Sequence, residues 1–195
     1  MKRGAFLLLL VAGVLISRSQ TDTSLSGRLK IVLRLTQSKD IEKVMDYTYP
    51  KLLTIVPRSQ LIEAMKNVYE TDEFSTELDS ISILKIYPVF TTKDGSYAKI
   101  KHTMLMKMKY KEPIDTSDKE LNEMMLSAME EGFGKGNVRF DFANNSLNVF
   151  MTPAIVAIKD QLSVNWTFVT LNEDSPELLN MLFSKEVIAK LKEFD

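Results

Sequence analysis

Along residues 97–110 polar and apolar positions change places at every step. Ala98, Ile100, His102, Met104, Met106, Met108 and Tyr110 hold one parity; Tyr97, Lys99, Lys101, Thr103, Leu105, Lys107 and Lys109 hold the other. Side chains alternate sides along a strand, so the pattern predicts a strand with one mostly apolar and one mostly basic face. Its length exceeds the usual span of about five or six residues, which marks it as the central strand of a curved antiparallel sheet.

The positions before it have a helical period. Leu25, Leu29, Val32 and Leu33 predict a first helix ending near Thr36. Ser38 is placed to cap a second, with Ile41, Val44 and Met45 on one face and Pro50 ending or bending it. Beyond Pro57, Leu61, Ile62, Met65, Val68 and Tyr69 predict the inner face of a third. Phe74 to Phe90 reads as a long strand whose alternation slips at Ile83-Leu84, a bulge signal, and Lys93-Asp94-Gly95 turns it into the central strand.

After Glu112-Pro113 the helical period returns. Ser117 and Glu120 have capping-box spacing, and Leu121, Met124, Met125, Ala128 and Met129 share a face. Gly132, Gly134 and Gly136 end that helix. Val138, Phe140 and Phe142 alternate with Arg139 and Asp141, and Asn144-Asn145 leads into Leu147, Val149 and Met151. Pro153 precedes an apolar run at 154–158, and Val164, Trp166, Phe168 and Thr170 form the last strand. Ser175-Pro176 opens a closing helix with Leu178, Leu179, Leu182, Val187, Ile188 and Leu191 inward and a break at Ser184. The sum is an α+β class: a curved antiparallel sheet of about five or six strands on N-terminal helices, with a helix inserted after the first hairpin and one at the C-terminus.

Composition changes this picture at one end. Lys2 and Arg3, the apolar run from Ala5 to Ile16, and Ser17-Arg18-Ser19 form a secretory signal, with cleavage expected before Gln20. Residues 20–195 are then one domain, exported to a periplasm or the exterior, with no membrane span once the signal is removed. The chain has 25 basic and 26 acidic residues, and losing Lys2, Arg3 and Arg18 tilts it further to acid. That balance argues against a nucleic-acid partner, whose counterions clustered cations must displace. Cysteine is absent, which excludes disulfides, thiolate metal sites and cysteine nucleophiles, and favours a bacterial source.

Three helices, a long hairpin, a further helix and a run of antiparallel strands resemble the nuclear-transport-factor-2-like superfamily from about Leu25 to Leu171. The ending, Asn165-Trp166-Thr167-Phe168-Val169 through Leu182-Phe183 to Leu191, is similar to that of small exported bacterial proteins of uncharacterised role. The resemblance implies a cone, a strongly curved sheet wrapped on helices and sometimes enclosing a pocket at its open end. It also implies either an isomerase- or dehydratase-like enzyme or a non-catalytic binding domain.

Candidate chemistry gathers on the central strand. His102, Met104, Met106 and Met108 point one way at roughly 7 Å intervals, and thioethers suit Cu(I), with Trp166 placed to lie over the ion. Methionine recurs at Met45, Met65, Met124, Met125, Met129 and Met181, so its use as adaptable filler accounts for most of the pattern. No cofactor is expected. For catalysis, Tyr47, Tyr49, Tyr69 and Tyr110 supply hydroxyls, and Asp46 or Asp141 a carboxylate, without a motif matching the enzymes. Dehydratase-like members use paired histidines, and here there is one. The lysine stripe reads as a solvated face that discourages strand pairing, or as a surface for an acidic partner or a glycan, and the sheet offers a face for a homodimer.

The reading is a non-catalytic module binding an apolar small molecule or a partner protein through the cone or the sheet. Tyr47, Tyr69, His102, Met104, Met106, Met108, Tyr110 and Trp166 are its expected pocket residues. A polar cavity with a carboxylate beside a tyrosine would favour the enzyme, and a filled cone would favour binding.

Overall fold

A computed structural model describes residues 23–171 and 175–194; the expected signal segment lies outside them. Four helices come first: α1 (Leu25–Gln37), α2 (Ile41–Met45), α3 (Pro50–Ile55) and α4 (Arg58–Tyr69). Ser24 caps α1 by accepting a hydrogen bond from the Gly27 amide at 3.0 Å. The cap of α2 is Asp40, not Ser38: Lys39 takes a left-handed turn at φ 58° and moves the helix start two residues on. Pro50 opens α3 instead of ending α2, because the first helical position needs no amide donor. In α4, Leu61, Ile62, Met65 and Tyr69 turn inward, whereas Val68 is exposed.

The sheet is antiparallel, curved and unclosed. Its strands are β1 (Phe74–Ile86), β2 (Phe90–Thr92), β3 (Gly95–Tyr110), β4 (Val138–Asp141), β5 (Ser146–Met151), β6 (Ala154–Asp160) and β7 (Ser163–Leu171). There are seven, instead of five or six, because Tyr87-Pro88-Val89 divides the expected first strand into β1 and β2. The bulge lies where the alternation slips: the register of β1 shifts between Asp79 and Ser82 and again between Ile83 and Lys85. Phe142 leaves β4 for a 3-10 turn, Phe142–Asn144, and is exposed, with its ring stacked on Phe140.

Strand β3 is the trunk. Along one edge it pairs with β1 and β2; along the other it pairs with β6 over residues 95–101 and with β5 over 104–109. His102 sits at the change of partner, its amide donating to the Pro153 carbonyl at 3.2 Å. Beyond these, β7 pairs with β6 and β4 with β5. The outer edge of β7 is covered by residues 47–49: the Tyr49 amide donates to Phe168 O at 3.0 Å, and the Phe168 amide to Tyr47 O at 2.8 Å.

The even face of β3 is covered twice. Ala98 and Ile100, with Ile155, Ala157 and Phe168, pack on Leu29, Val32, Val44 and Met45 of α1 and α2. Met106 and Met108, with Val138, Leu147 and Val149, pack under α5 (Lys119–Phe133). The cap of α5 is Asp118, which accepts from the Leu121 amide at 2.9 Å; Ser117 bonds to Asp115 instead. Its inner stripe is Asn122, Leu126, Met129 and Phe133, while Leu121 and Met124 face water. Both stripes have helical spacing and share Met129; the one carrying Leu126 and Phe133 is the one packed on β4 and β5.

On the odd face, α6 (Pro176–Leu182) and α7 (Lys185–Lys192) meet at Ser184, where the break was expected. They cover Tyr97, Val156, Ile158 and Val169 through Leu182, Phe183, Val187 and Leu191. This corrects the solvated-stripe expectation for half of β3: Tyr97 and Lys99 are buried, Lys99 only 1% exposed, with its Nζ 3.5 Å from Leu191 O. The other half stays outside. There Lys107 pairs with Asp79 and Lys109 with Glu77, both at 2.9 Å, so acidic residues of β1 balance the cations across the strand pair.

At the start of β3, Gly95 packs against the end of β6. A Cβ built there would lie 2.8 Å from both Asp160 Cβ and the Lys159 carbonyl oxygen. Backbone cannot yield as a side chain does, so Gly95→Ala is expected to cost about 1–3 kcal/mol. Urea unfolding of wild type and variant with equal m-values measures this, and an unchanged midpoint would show that the close approach is not required.

Candidate functional site

The four N-terminal helices cover the sheet incompletely. Between them and β6–β7 lies a hollow of about 470 Å³. Val32, Leu33 and Thr36 of α1, Val44 and Met45 of α2, Leu61 and Met65 of α4, and Ile155 and Phe168 of the sheet line it, with Tyr47 and Thr48 from the segment on the β7 edge. Its size falls in the range of small-molecule sites, about 300–1,000 Å³. The walls are mainly aliphatic, and the polar side chains among them are hydroxyls; none of the described residues in the wall is a carboxylate. This is neither the polar cavity nor the filled cone set out above, but an apolar one with room in it.

Of the eight expected pocket residues, Tyr47 lines this hollow and the others are distributed around it. Tyr69 is buried, and its hydroxyl donates to the Thr36 carbonyl at 3.2 Å. Trp166 packs half-buried on the cluster formed by α1, α2 and the sheet. Met106, Met108 and Tyr110 belong to the separate cluster under α5, with Tyr110 edge-on to Phe74. Met104 is half-buried. The methionine ladder and Trp166 thus lie in different clusters, and among the described residues no three His, Cys, Asp or Glu side chains gather as metal ligands.

A tyrosine does meet a carboxylate, at another place. The Tyr49 hydroxyl donates to Asp160 Oδ2 at 2.6 Å, while Asp160 Oδ1 accepts from the Leu162 and Ser163 amides. Burial, and then the Asp160 carboxylate, push the Tyr49 phenol well above its usual range. The three donors make Asp160 the organiser of the β6–β7 turn. The other expected carboxylates are also engaged: Asp46 pairs with Arg58 at 3.0 Å, and Asp141 caps the turn at Phe142–Asn144.

Two cations sit deeper than their residue types suggest. Lys99 floors a hollow of about 270 Å³ under α6 and α7. Arg28, only 9% exposed, lies on the inner side of α1. Its Nε donates to the Trp166 carbonyl at 2.6 Å, and its guanidinium lies over the Tyr47 ring, 4.4 Å from the centroid. The sequence held a signal for Arg28, because it falls inside the apolar stripe Leu25, Leu29, Val32. Lys99 had no such signal, since the strand pattern is blind to a helix arriving from residues 176–192.

His102 is 5% exposed, and its Nδ1 has no hydrogen-bond partner. Burial lowers its pKa below the ordinary 6.5. The folded chain therefore resists a proton that the unfolded chain accepts. The associated stability is present above about pH 6.5 and is lost as pH falls through the lowered value. Because it is the sole histidine of the sequence, His102→Leu should flatten the fall in urea midpoint between pH 7 and pH 5; identical slopes in the two proteins would refute this.

Compared with known proteins, the chain matches no family model, no curated protein and no solved structure.

Proposed function

We propose that the protein is an exported, non-catalytic binding module of the nuclear-transport-factor-2-like type that holds an apolar small molecule in the hollow between α1–α4 and the sheet. The observation that carries this reading is the composition of the hollow's wall: apolar side chains from five helices and two strands, a few hydroxyls, and no carboxylate among the described residues. Filling such a space with hydrocarbon removes apolar surface from water on both partners, worth about 25 cal/mol per Å² before the losses of ordering. An isomerase-like reaction would need an acid–base pair facing the same space, and the described residues of the wall supply hydroxyls without a base. Export supports the same role, since a carrier outside the cytosol meets poorly soluble compounds; it rests on the sequence of residues 1–19.

Native mass spectrometry of protein purified from its own host should show a retained apolar compound. Independently, decanol titrated against Trp166 fluorescence should bind wild type, and Leu61→Phe, which takes up space from α4 without adding a second indole, should weaken binding by roughly tenfold with only a small change in melting temperature. Absence of any bound apolar compound in the first experiment, together with no binding of decanol in the second, would overturn the proposal.

A further inference from the structure

Arg28 is out of place energetically unless something answers its charge. A guanidinium taken from water and left without an anion is costly, and buried arginines are ordinarily matched by a carboxylate. Here no carboxylate among the described residues forms an ion pair with Arg28, and its one hydrogen bond runs from Nε to the Trp166 carbonyl. That bond, with the Tyr47 ring beneath, fixes the plane of the guanidinium and leaves Nη1 and Nη2 as a fork. The group lines a second hollow, about 500 Å³ and open to solvent, between α1, α2 and the β6–β7 turn.

The other two charged residues in this wall, Arg58 and Asp46, pair with each other at 3.0 Å, and Arg58 also pairs with Glu42 at 3.3 Å. Arg28 is therefore the cation in the wall whose charge is not met there. The hydroxyls in the wall, Thr48, Ser163 and Thr167, give their hydrogens to backbone carbonyls, and the other polar groups there, Gln161 and Asn165, are uncharged amides. Met45 and Thr48 line both this hollow and the apolar one, so the two adjoin. Tyr47 bridges them, its ring carrying Arg28 while its side chain forms part of the apolar wall.

We propose that Arg28 is the anion-binding residue of the site, and that the ligand is an apolar molecule bearing one carboxylate. The apolar body occupies the space between α1, α2, α4 and the sheet. The carboxylate passes Met45 and Thr48 and takes the Nη1–Nη2 fork end-on in two parallel charge-assisted hydrogen bonds. A single unanswered guanidinium selects a monoanion over a phosphate dianion. The inference rests on the binding function proposed above and adds the ligand's head group to it.

The test compares decanoate, below its micellar concentration, with decanol and methyl decanoate against the full chain, read by the fluorescence of Trp166, the sole tryptophan. Wild type should bind decanoate roughly tenfold to a hundredfold more tightly than either uncharged analogue. Arg28→Gln should abolish the preference, so that the variant binds decanoate and decanol alike; Arg28→Lys, which keeps the charge but not the fork, should fall between. Equal binding of the three compounds by wild type overturns the anion site and leaves the apolar cavity standing, and this comparison needs no variant. A decanoate preference that survives in Arg28→Gln also overturns it. Failure of all three compounds to bind wild type removes the cavity reading and this inference together.

Discussion

A strand of sixteen residues has to find hydrogen-bond partners along both edges, and the way β3 does so determines the rest of the fold. Neither neighbouring edge runs its whole length unbroken. On one side β1 kinks through two register shifts and gives way to β2; on the other, β6 hands over to β5 at His102. Each break lets the sheet change direction while β3 stays continuous, as expected of bulged and divided partners on a curved sheet. The handover leaves two half-sheets of separate character. One is sandwiched between α1–α4 and α6–α7, and the other is covered by α5 on one face only.

That division explains which parts of the structure were legible in the sequence. Alternation along residues 97–110 located β3, the slip at Ile83-Leu84 located the bulge, and Ser184 separated the last two helices. These signals are local: each depends on period or on one residue's backbone preference. What remained hidden depends on which distant element arrives. Lys99 and Lys107 share a parity and a residue type, yet one lies beneath α7 and the other pairs with Asp79 at the surface. The two stripes of α5 were equally periodic and shared Met129, and only the shape of the half-sheet selected Leu126 and Phe133 over Leu121 and Met124. Val164 shares the parity of Phe168 but lies beyond the reach of the helices, and is exposed.

The candidate site shows the same limit. A ladder of His102, Met104, Met106 and Met108 drew attention because four unusual side chains share one face. In the folded chain the handover at His102 divides that face between two clusters, and the methionines do the work of filler against Leu147 and Val149. The residues that build the hollow are ordinary ones, Val32, Val44, Leu61 and Ile155, which no motif would single out. Arg28 lines the adjoining hollow instead, and a charge inside the apolar helical stripe of Leu25, Leu29 and Val32 is a signal that spacing alone carries.

The short run from Tyr47 to Thr48 that helps wall the hollow also bonds to the border strand of the sheet. Entry for a bulkier guest by outward displacement of this run would strip Phe168 of its amide and carbonyl partners and present a naked strand margin to any neighbouring molecule. Room for a large guest and resistance to clumping are therefore opposed at this one seam, and with no cysteine in the sequence no sulfur crosslink can hold it shut.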